Sequence, residues 1–586
     1  MPEIHDLRSY IEVLEAAGQL ARIRRPVRLE HELADVAAAL ERQGGPAPLF
    51  ESVIGSPWPI FSSAVANQQR AALALGCEKS QVVETMRWAL DPGQGIPPVR
   101  TESAAWQAHL VTGDAVDLRQ VPIPTHAAGD GGPFITGGVT VSKDPVSGRG
   151  NLSYNRLQVK GPRELGFDVN EWRHVRQFMD VQEAKGEPLP IAVAIGLDPA
   201  ISIAAGARYD GDELYIAGAI RGEGVPVCRG VTVPIDIPAE AEIVIEGFLP
   251  PHVRQGEGPL AEFHGYYGRI WDSPVFEVTA ICWRDDPIFQ TIIPGWNEHV
   301  YIGNVLPREP LLLNFAQHVS KNVAGLHIAP YGSGFLAIVG LNKKNPGEPK
   351  NVAMGVFTAH VNVKWCIVVD ADVDIYDPAD VMWALTTRVD WSRDIFLVPG
   401  SQGHEMDPTA DTRGVHTKIG VDATADKGRR EAAARVRYGD VDLSKYLWTE
   451  VITAPGEHSE RRPAGCAGRS RRMRPCTKAA SFDYGHKRRG LRSGCYVAQK
   501  LNRKQGVSIG RPDDYPFRHR HALTLHFGLR PTVLRCDRAV GGVPRGRRRS
   551  RHQDAAAGTG DQPDPAHGRA SLVEPARHAV QHREVG

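Results

Sequence analysis

The sequence predicts a mixed α/β protein, with a β-barrel-like core and inserted helices between two α/β regions. Helical periodicity dominates residues 1–110, strand patterns dominate 111–315, and buried apolar strands occur beside a helix over 316–453. At 586 residues the chain is too long for one hydrophobic core. We therefore predict three domains with these boundaries.

The N-terminal region is predicted to contain three helices and some short strands. Apolar residues recur at helical spacing over 5–24, and a second helix is predicted over 31–43. Short strands follow, and a third helical stretch covers 78–88. Prolines and glycines between 92 and 98 interrupt the pattern after that helix.

In the central region, the run D-P-V-S-G-R-G at 144–150 predicts a hairpin turn between two strands. A helix is predicted from Asn170 to about Ala184, with Asp168 or Asn170 as its cap. Several further apolar strands follow this helix, so the region is expected to form the barrel-like core.

The C-terminal region combines strand patterns with one clear helix signal. The runs F-L-A-I-V-G-L and K-W-C-I-V-V-D are typical of buried strands. Asp377-Pro378 begins a helix predicted over 378–389, because proline is favoured at the first helical position.

The last segment, 454–586, differs from the rest in composition. Residues 451–586 contain 28 Lys and Arg against 11 Asp and Glu, a net charge of +17, whereas 1–450 carries −16. Three interpretations are open: translation of a shifted reading frame, a disordered tail, or a basic nucleic-acid-binding arm. The first two are favoured, so no nucleic-acid partner is expected.

The composition predicts a cytoplasmic protein in a reducing compartment. No apolar run reaches the roughly 18–20 residues of a membrane span. The N-terminus lacks the basic region and apolar core of a signal peptide. The eight cysteines are scattered and form no C-x-x-C pair, so neither a zinc module nor a disulfide framework is predicted.

Three side chains have the chemistry to bind a hard divalent cation. Asn151 offers an amide oxygen, His174 an imidazole nitrogen and Glu213 a carboxylate. An oxygen-rich set with one imidazole suits Mn²⁺ or Mg²⁺. Spacing alone leaves ordinary alternatives open: His174 as a surface or core histidine, and Glu213 as a first-turn helix carboxylate after Asp210 or Asp212.

Arg156, Glu257 and Glu262 form a second candidate group. Two close carboxylates tend to split their pKa values, so that one can donate a proton near neutral pH. Arg156 can hold a substrate carboxylate in bidentate fashion. Each glutamate alone could equally be a solvated loop charge. Asn151 and Arg156 are an odd number of residues apart, so a shared site requires an irregular backbone between them.

Seven stretches between residues 6 and 424 together carry a family resemblance. In chain order they are D-L-R-S-Y-I-E-V-L-E-A-A-G-Q-L, N-L-S-Y-N-R-L-Q-V, G-E-P-L-P-I-A-V-A-I-G-L-D-P-A, P-A-E-A-E-I-V-I-E-G, E-G-P-L-A-E-F-H-G-Y-Y-G, D-V-D-I-Y-D-P-A-D-V-M-W-A-L and K-I-G-V-D-A-T. With them the chain resembles the UbiD family of decarboxylases from its first helix to about residue 450.

This resemblance implies a split β-barrel like that of flavin reductases, between an N-terminal α/β region and a C-terminal α/β domain used in oligomerisation. A homodimer or homohexamer is implied. The implied cofactor is prenylated FMN, supplied by a flavin prenyltransferase, with Mn²⁺ and often K⁺ bridging its phosphate to the protein. The metal ligands fall on Asn151, His174 and Glu213. The flavin contacts fall on Ser153, Tyr154, Asn155, Arg156 and Lys418.

The implied reaction is reversible, non-oxidative decarboxylation of an aromatic, heteroaromatic or α,β-unsaturated acid. In it Glu262 is the proton donor, Arg156 positions the substrate carboxylate, and Glu257 holds Arg156. Two alternatives stay open: a plain-FMN oxidoreductase on the same barrel, and a non-catalytic subunit of a multi-subunit carboxylase. The oxidoreductase alternative would be supported by a dinucleotide-binding G-x-G-x-x-G motif after a strand, and the sequence has none. The identity of the acid is not predicted.

The chain departs from the family pattern at two places. Ala261 stands where the family usually has glycine before its proton donor, and V-R-Q-F after His174 lacks the glycines many members have there. A Cβ at 261 is expected to restrict a backbone geometry that glycine adopts freely. Local flavin contacts are therefore expected to differ at both places.

Overall fold

The computed structural model describes residues 3–404 and 406–426, residue 428, and positions 435, 436, 438, 439, 441 and 442. The described residues belong to one compact unit, 1–450. The basic tail, 454–586, lies outside the described residues, so the structure does not test the three interpretations offered for it.

Helices and short strands alternate along the N-terminal region. The elements are α1 (Leu7–Ala16), β1 (Leu20–Ile23), α2 (Glu32–Arg42), β2 (Ala47–Phe50), β3 (Ile60–Ser62), α3 (Gln68–Ala74) and α4 (Val82–Ala89). β1, β2 and β3 form one sheet with a later strand, Phe289–Thr291, so this region is hydrogen-bonded to the central one. The helices predicted over 31–43 and 78–88 are confirmed by α2 and α4.

The helix predicted over 5–24 is wrong in its second half. α1 begins with a capping box, in which the Asp6 carboxylate accepts from Ser9 N–H and the Ser9 hydroxyl accepts from Asp6 N–H. The helix ends at Ala16 because Gly18 takes a φ of +65°. This left-handed conformation stops the helix and turns the chain into β1.

The central region contains most of the strands. Its elements are β4 (Val99–Arg100), β5 (His109–Thr112), β6 (Phe134–Ile135), β7 (Val139–Lys143), β8 (Gly150–Tyr154), β9 (Leu157–Val159), β10 (Glu164–Phe167), α5 (His174–Glu183), β11 (Leu189–Ile195), α6 (Pro199–Ala205), α7 (Glu213–Arg221), β12 (Pro226–Arg229), β13 (Asp236–Pro238), β14 (Ile243–Leu249), β15 (Arg254–Glu257), β16 (Trp271–Trp283) and β17 (Phe289–Thr291). One ten-stranded sheet has the order β6-β9-β10-β16-β14-β11-β7-β8, with β5 and β15 also paired to β16. The predicted hairpin is confirmed by antiparallel β7 and β8.

The connection between β8 and β9 requires this sheet to curl. β8 is an edge strand, whereas β9 lies next to the opposite edge. In a flat sheet the two would be roughly 29 Å apart. Only Asn155 and Arg156 join them, and such a connection spans at most about 11 Å. The sheet therefore folds back into a half-barrel, which confirms the predicted fold class. The break in the strand also confirms the irregular backbone predicted between Asn151 and Arg156.

The helix after β10 begins later than predicted. α5 starts at His174, and its cap residue, Arg173, makes no side-chain capping hydrogen bond. The predicted caps, Asp168 and Asn170, are therefore wrong. The reason is tertiary: the Asp168 carboxylate lies 3.5 Å from the Arg156 guanidinium instead of facing the helix.

The C-terminal region forms a second α/β layer. Its elements are α8 (Asn297–Val300), α9 (Leu306–Val319), β18 (Val323–Ile328), β19 (Leu336–Leu341), α10 (Glu348–Ala359), β20 (Trp365–Asp370), α11 (Pro378–Arg388), β21 (Ile395–Gln402) and β22 (Val415–Ala423). A five-stranded sheet has the order β18-β19-β20-β22-β21. α11 confirms the predicted helix, with Asp377 as its cap. None of the described helices has the length and apolarity needed to cross a bilayer.

Gly247 provides a test of the sheet packing. It lies at the irregularity where β14 pairs with β16, and a Cβ there would stand 2.0 Å from the Glu277 carbonyl oxygen. Gly247→Ala should therefore lower the free energy of unfolding by about 1–3 kcal/mol, measured by urea denaturation. Gly347→Ala is the matched control, because a Cβ at that position meets nothing within 4 Å. Equal stability of the two variants would contradict this packing.

Candidate active site

Arg156, in the connection between β8 and β9, is held by two buried glutamates. Its Nε and Nη2 donate to the Glu257 carboxylate at 3.0 and 2.8 Å, a bidentate pairing. Its Nη1 donates to Glu262 Oε1. The Glu257 side chain is fully buried, and those of Arg156 and Glu262 are 10% and 11% exposed. The structure thus brings together the three residues predicted as catalytic.

The loop after β15 is fixed so that Glu262 faces Arg156. Gly258 N–H donates to Gln158 Oε1 at 2.9 Å, and Gln158 Nε2 donates to the Gly131 carbonyl at 2.7 Å. A Cβ on Gly131 would lie 2.3 Å from the Gly258 carbonyl oxygen. The two loops therefore approach more closely than any side chain at 131 would permit.

Ala261 does not require a backbone conformation reserved for glycine. Gly258 in the same loop has a φ of +99°, but Ala261 is not among the positive-φ residues of the described chain. Its N–H donates to Asp130 Oδ1 at 3.2 Å. The restriction expected from a Cβ at 261 and its effect on flavin contacts both stay predictions.

Asp168 is a fourth member of this group. The sequence predicted it as the cap of a helix instead. Its carboxylate lies 3.5 Å from Arg156 Nε, and its N–H donates to the Arg156 carbonyl at 3.2 Å. This position follows from the pairing of β9 with β10, in which Leu157 lies opposite Phe167. A correct prediction of the pairing between these two strands would have placed Asp168 beside Arg156.

Burial and crowded carboxylates determine the protonation of this group. Burial raises the pKa of Glu262 to about 7; Arg156 opposes the shift, and Asp168 adds to it. Burial also raises the pKa of Glu257, against the effect of Arg156. Burial disfavours the charged Arg156, but Asp168, Glu262 and Glu257 raise its pKa on balance. A permanent cation therefore lies beside a carboxyl that can hold a proton near neutral pH.

Asn151, His174 and Glu213 converge at β8. Asn151 Oδ1 lies 3.0 Å from His174 Nδ1. Glu213, the first residue of α7, accepts a hydrogen bond from Leu152 N–H at 2.7 Å. Asn151 and Glu213 are both 2% exposed. The structure thus brings the three predicted metal ligands to one strand. Asp212 caps α7 and Glu213 lies in its first turn, as the ordinary alternative for Glu213 also predicted.

These three side chains fit a hard divalent cation. Burial raises the pKa of Glu213 to about 8, which a bound cation would counteract. Burial lowers the pKa of His174, which favours the neutral imidazole that binds metals. No cluster of three His, Cys, Asp or Glu side chains suited to a metal occurs within the described residues. This trio contains only two of those residue types and an amide oxygen.

The predicted flavin contacts Ser153, Tyr154 and Asn155 link the two groups. They lie between Asn151 and Arg156, where β8 ends. Ser153 Oγ donates to Asn155 Oδ1 at 2.8 Å, and both residues are buried. This order along the chain would allow one ligand to reach both groups. Contact of these residues with a flavin stays a prediction.

Lys418, the remaining predicted flavin contact, lies on β22 in the C-terminal sheet. Its ammonium donates to the Val361 and Val363 carbonyls at 3.0 and 2.8 Å. Burial lowers its pKa to about 8. The structure gives this lysine a role in fixing the chain after α10, and its contact with a flavin also stays a prediction.

A cluster of rings around Phe263, here called the aromatic wall, follows Glu262. No sequence motif predicted it. The ring of Phe263 lies 5.5 Å from that of Phe335, 5.9 Å from that of His404 and 6.1 Å from that of His299, between centroids. These residues come from separate segments of the chain, so no local spacing relates them. Phe263 belongs to the buried core, and the charge of Arg156 acts on His299, which places this cluster beside the site.

The protonation of Glu262 predicts how stability depends on pH. Its pKa rises from 4.5 to about 7 on folding. Raising the pH from 5 to 8 therefore ionises a buried group and lowers the free energy of unfolding. The Glu262→Gln variant has no group to ionise at this position. The free energy of unfolding of the wild type should therefore fall relative to that of the variant by on the order of 2–3 kcal/mol across that range. Urea unfolding at several pH values measures it.

The control for this experiment is Glu277→Gln, at an exposed position on β16. This variant should follow the wild type at every pH. A difference between wild type and Glu262→Gln that stays constant from pH 5 to 8 would show that Glu262 remains ionised.

Three domain models of one family match the chain in succession. They are the N-terminal domain of UbiD, 3-octaprenyl-4-hydroxybenzoate carboxy-lyase, over 11–90, its Rift-related domain over 98–297, and its C-terminal domain over 301–423. A Rhodospirillum rubrum relative, an uncharacterized protein in the cooM 5′ region, is 33% identical over 428 residues, which is 72% of this chain and 91% of the relative.

Solved structures share the fold. HmfF of Pelotomaculum thermopropionicum, a UbiD-class enzyme in complex with FMN, is 35% identical with a TM-score of 0.72, over 76% of this chain and 100% of HmfF. An evolved dimeric HmfF in complex with prFMN is 33% identical with a TM-score of 0.69, over 76% and 100%. Apo 3,4-dihydroxybenzoic acid decarboxylase (AroY) of Klebsiella pneumoniae is 33% identical with a TM-score of 0.71, over 76% and 99%. With family models over all three regions and these shared folds, the chain belongs to the UbiD family of decarboxylases.

Proposed function

We propose that this chain reversibly decarboxylates an aromatic, heteroaromatic or α,β-unsaturated acid, with prenylated FMN as its cofactor. The observation that carries the proposal is the buried group of Arg156, Glu257 and Glu262, in which Glu262 has a pKa of about 7. The HmfF structures with FMN and prFMN support the choice of cofactor. When bound, prenylated FMN would supply the electron sink that loss of CO₂ from an unsaturated carbon needs.

In this proposal each residue of the group has a separate task. Arg156 stays cationic and attracts the carboxylate of the substrate. Glu257, bidentate to Arg156, fixes the guanidinium in place. Glu262 gives its proton to the carbon that has lost CO₂, and its pKa allows it to be reprotonated near neutral pH. In carboxylation the same carboxylate accepts the proton.

Asn151, His174 and Glu213 would hold Mn²⁺, with K⁺ as a further candidate ion, against the phosphate of the cofactor. The ion would neutralise that phosphate beside a buried carboxylate. Ser153, Tyr154, Asn155 and Lys418 are the proposed further contacts. The placement of Ser153, Tyr154 and Asn155 between the two groups supports this part of the proposal, and Lys418 is included on the resemblance alone.

The assembly and its surroundings also belong to the proposal. We infer a cytoplasmic homodimer or homohexamer that receives its cofactor from a flavin prenyltransferase. Exposed apolar side chains on α9 and α10 support association through the C-terminal region: Leu311, Phe315, Val319 and Met354.

The first test is catalytic. The chain is co-expressed with a flavin prenyltransferase and assayed without oxygen for CO₂ release from a panel of unsaturated acids. Glu262→Gln should lower turnover by at least about 100-fold, because the proton donor is lost, while flavin and metal contents stay equal to the wild type. Glu277→Gln should retain full activity.

Two outcomes of that assay would contradict the proposal. Wild-type turnover by Glu262→Gln would remove its role as proton donor. Plain FMN by mass spectrometry, together with NAD(P)H consumption and no CO₂ release, would favour the oxidoreductase instead.

The second test concerns the metal. His174→Ala and Glu213→Gln should each weaken Mn²⁺ binding by at least about tenfold, measured by electron paramagnetic resonance titration. Asp210→Asn is the control, since Asp210 is exposed and lies 3.8 Å from His174 without being a proposed ligand. Equal Mn²⁺ affinity in all three variants would contradict the proposed metal site.

A further inference from the structure

Asp130 connects two loops that approach each other beside Glu262. The acid loop, residues 258–262, leads from β15 to Glu262, and the supporting loop, residues 126–131, lies before β6. Asp130 Oδ1 accepts a hydrogen bond from Ala261 N–H at 3.2 Å, and its Oδ2 accepts one from Ala127 N–H at 2.7 Å. One carboxylate thus joins the residue directly before Glu262 to the supporting loop.

Two further contacts hold the acid loop. Gly131 N–H donates to the Pro259 carbonyl at 2.7 Å. Gln158 bridges the loops, because it accepts from Gly258 N–H and donates to the Gly131 carbonyl. The acid loop is therefore held at three points, and the contact at Ala261 is the one next to the acid.

The supporting loop is itself tied to the core, so it can hold another segment in place. His126, at the start of this loop, is buried, and its Nε2 lies 2.8 Å from Thr291 Oγ1 on β17. Thr136, which follows the loop, donates to the Ile292 carbonyl at 2.7 Å. Both flanks of the supporting loop are thus fixed to the end of β17.

Glu262 lies between two neighbours that are fixed in different ways. Phe263 follows it and belongs to the buried core. Ala261 precedes it, is half-buried, and has only a methyl group with which to pack. Glu262 N–H donates to the Tyr266 carbonyl at 2.8 Å, but this bond lies within the turn and moves with it. The hydrogen bond from Ala261 to Asp130 therefore determines where the acid begins.

The anchoring of Arg156 does not pass through Asp130. Glu257 ends β15, where it pairs with Trp271 of β16, and its carboxylate holds Arg156 in bidentate fashion. Because Glu257 precedes the acid loop, a change within that loop leaves the guanidinium in place. Loss of the Asp130 contact should therefore displace the acid relative to a substrate that still binds.

The position of Glu262 also determines its protonation. Burial raises its pKa to about 7, and the charges that act on it are those of Arg156, Asp168 and Glu257. A displaced carboxyl that water reaches would return toward its ordinary pKa of 4.5. Removal of Asp130 should thus change the pKa of Glu262 through its solvation.

We propose that Asp130 is a positioning residue for the proton donor, whose carboxylate holds the acid loop so that Glu262 faces Arg156 and the substrate. This inference rests on the proposed function and adds a residue to it. Asp130 acts through Ala261, so it is not itself a catalytic residue.

Steady-state kinetics of the flavin-loaded, full-length protein tests the effect on turnover. Asn keeps one of the two carboxylate oxygens. Asp130→Asn should therefore lower kcat per bound flavin about tenfold and Asp130→Ala about 100-fold, because a small displacement of a reacting group costs that much. KM should stay within about twofold of the wild type in both, since Arg156 keeps its place.

The matched control is Asp390→Asn. Asp390 lies in an exposed loop, where its Oδ1 accepts from Ser392 N–H at 3.1 Å. It offers the same chemistry as Asp130 without contacting the acid loop, so this variant should keep wild-type kcat and KM.

Infrared difference spectroscopy on the full-length protein without flavin tests the position of the acid independently of turnover. The C=O band that is lost in Glu262→Gln should titrate with a midpoint at about pH 7 in the wild type. The same difference, taken between Asp130→Ala and a double variant that also carries Glu262→Gln, should have a midpoint at least about one pH unit lower. Asp390→Asn should keep the wild-type midpoint.

A midpoint in Asp130→Ala equal to that of the wild type would overturn the proposal, and so would wild-type kcat in that variant. A KM that rises as much as kcat falls, or a loss of flavin equal to the loss of turnover, would also overturn it, because either gives Asp130 a general structural role. If the wild type releases no CO₂ from any acid, the proposed function fails and the infrared midpoints alone decide on Asp130. If Asp130→Ala does not fold, the same comparisons are made with Asp130→Asn.

Discussion

The two-residue connection between β8 and β9 is the constraint on which the site depends. Because Asn155 and Arg156 join strands from opposite sides of a ten-stranded sheet, the half-barrel has a seam at these residues. The strand ladder stops there, and its polar groups find other partners: Asn155 Nδ2 donates to the Asp168 carbonyl at 2.9 Å. The proposed catalytic group therefore lies where topology, and not local sequence, makes the chain irregular.

Charge balance at this seam explains why one carboxyl keeps its proton. A single guanidinium, Arg156, faces Glu257, Glu262 and Asp168, and little water reaches the two glutamates. Full ionisation would leave excess negative charge in a poorly solvated place, so holding one proton costs less.

The sequence predicts those parts of this structure whose causes are local. The β7–β8 hairpin follows from its proline and glycine residues, and α11 from Asp377-Pro378. The six proposed metal and catalytic residues were found by resemblance, since their spacing alone was inconclusive. Asp168 was missed because its capping preference suggested a helix start, whereas strand pairing carries it to Arg156.

The aromatic wall shows the limit more sharply. Its members are collected from separate loops and helices, so no local pattern in the sequence relates them.

Gly131 and Gly258 constrain how this enzyme can evolve. Because a Cβ at 131 would collide with the Gly258 carbonyl, any larger residue there must push the loop that carries Glu262. A larger residue at 131 should therefore persist only together with a compensating change in that loop. The segments around Gly131 and Gly258 are thus expected to evolve together.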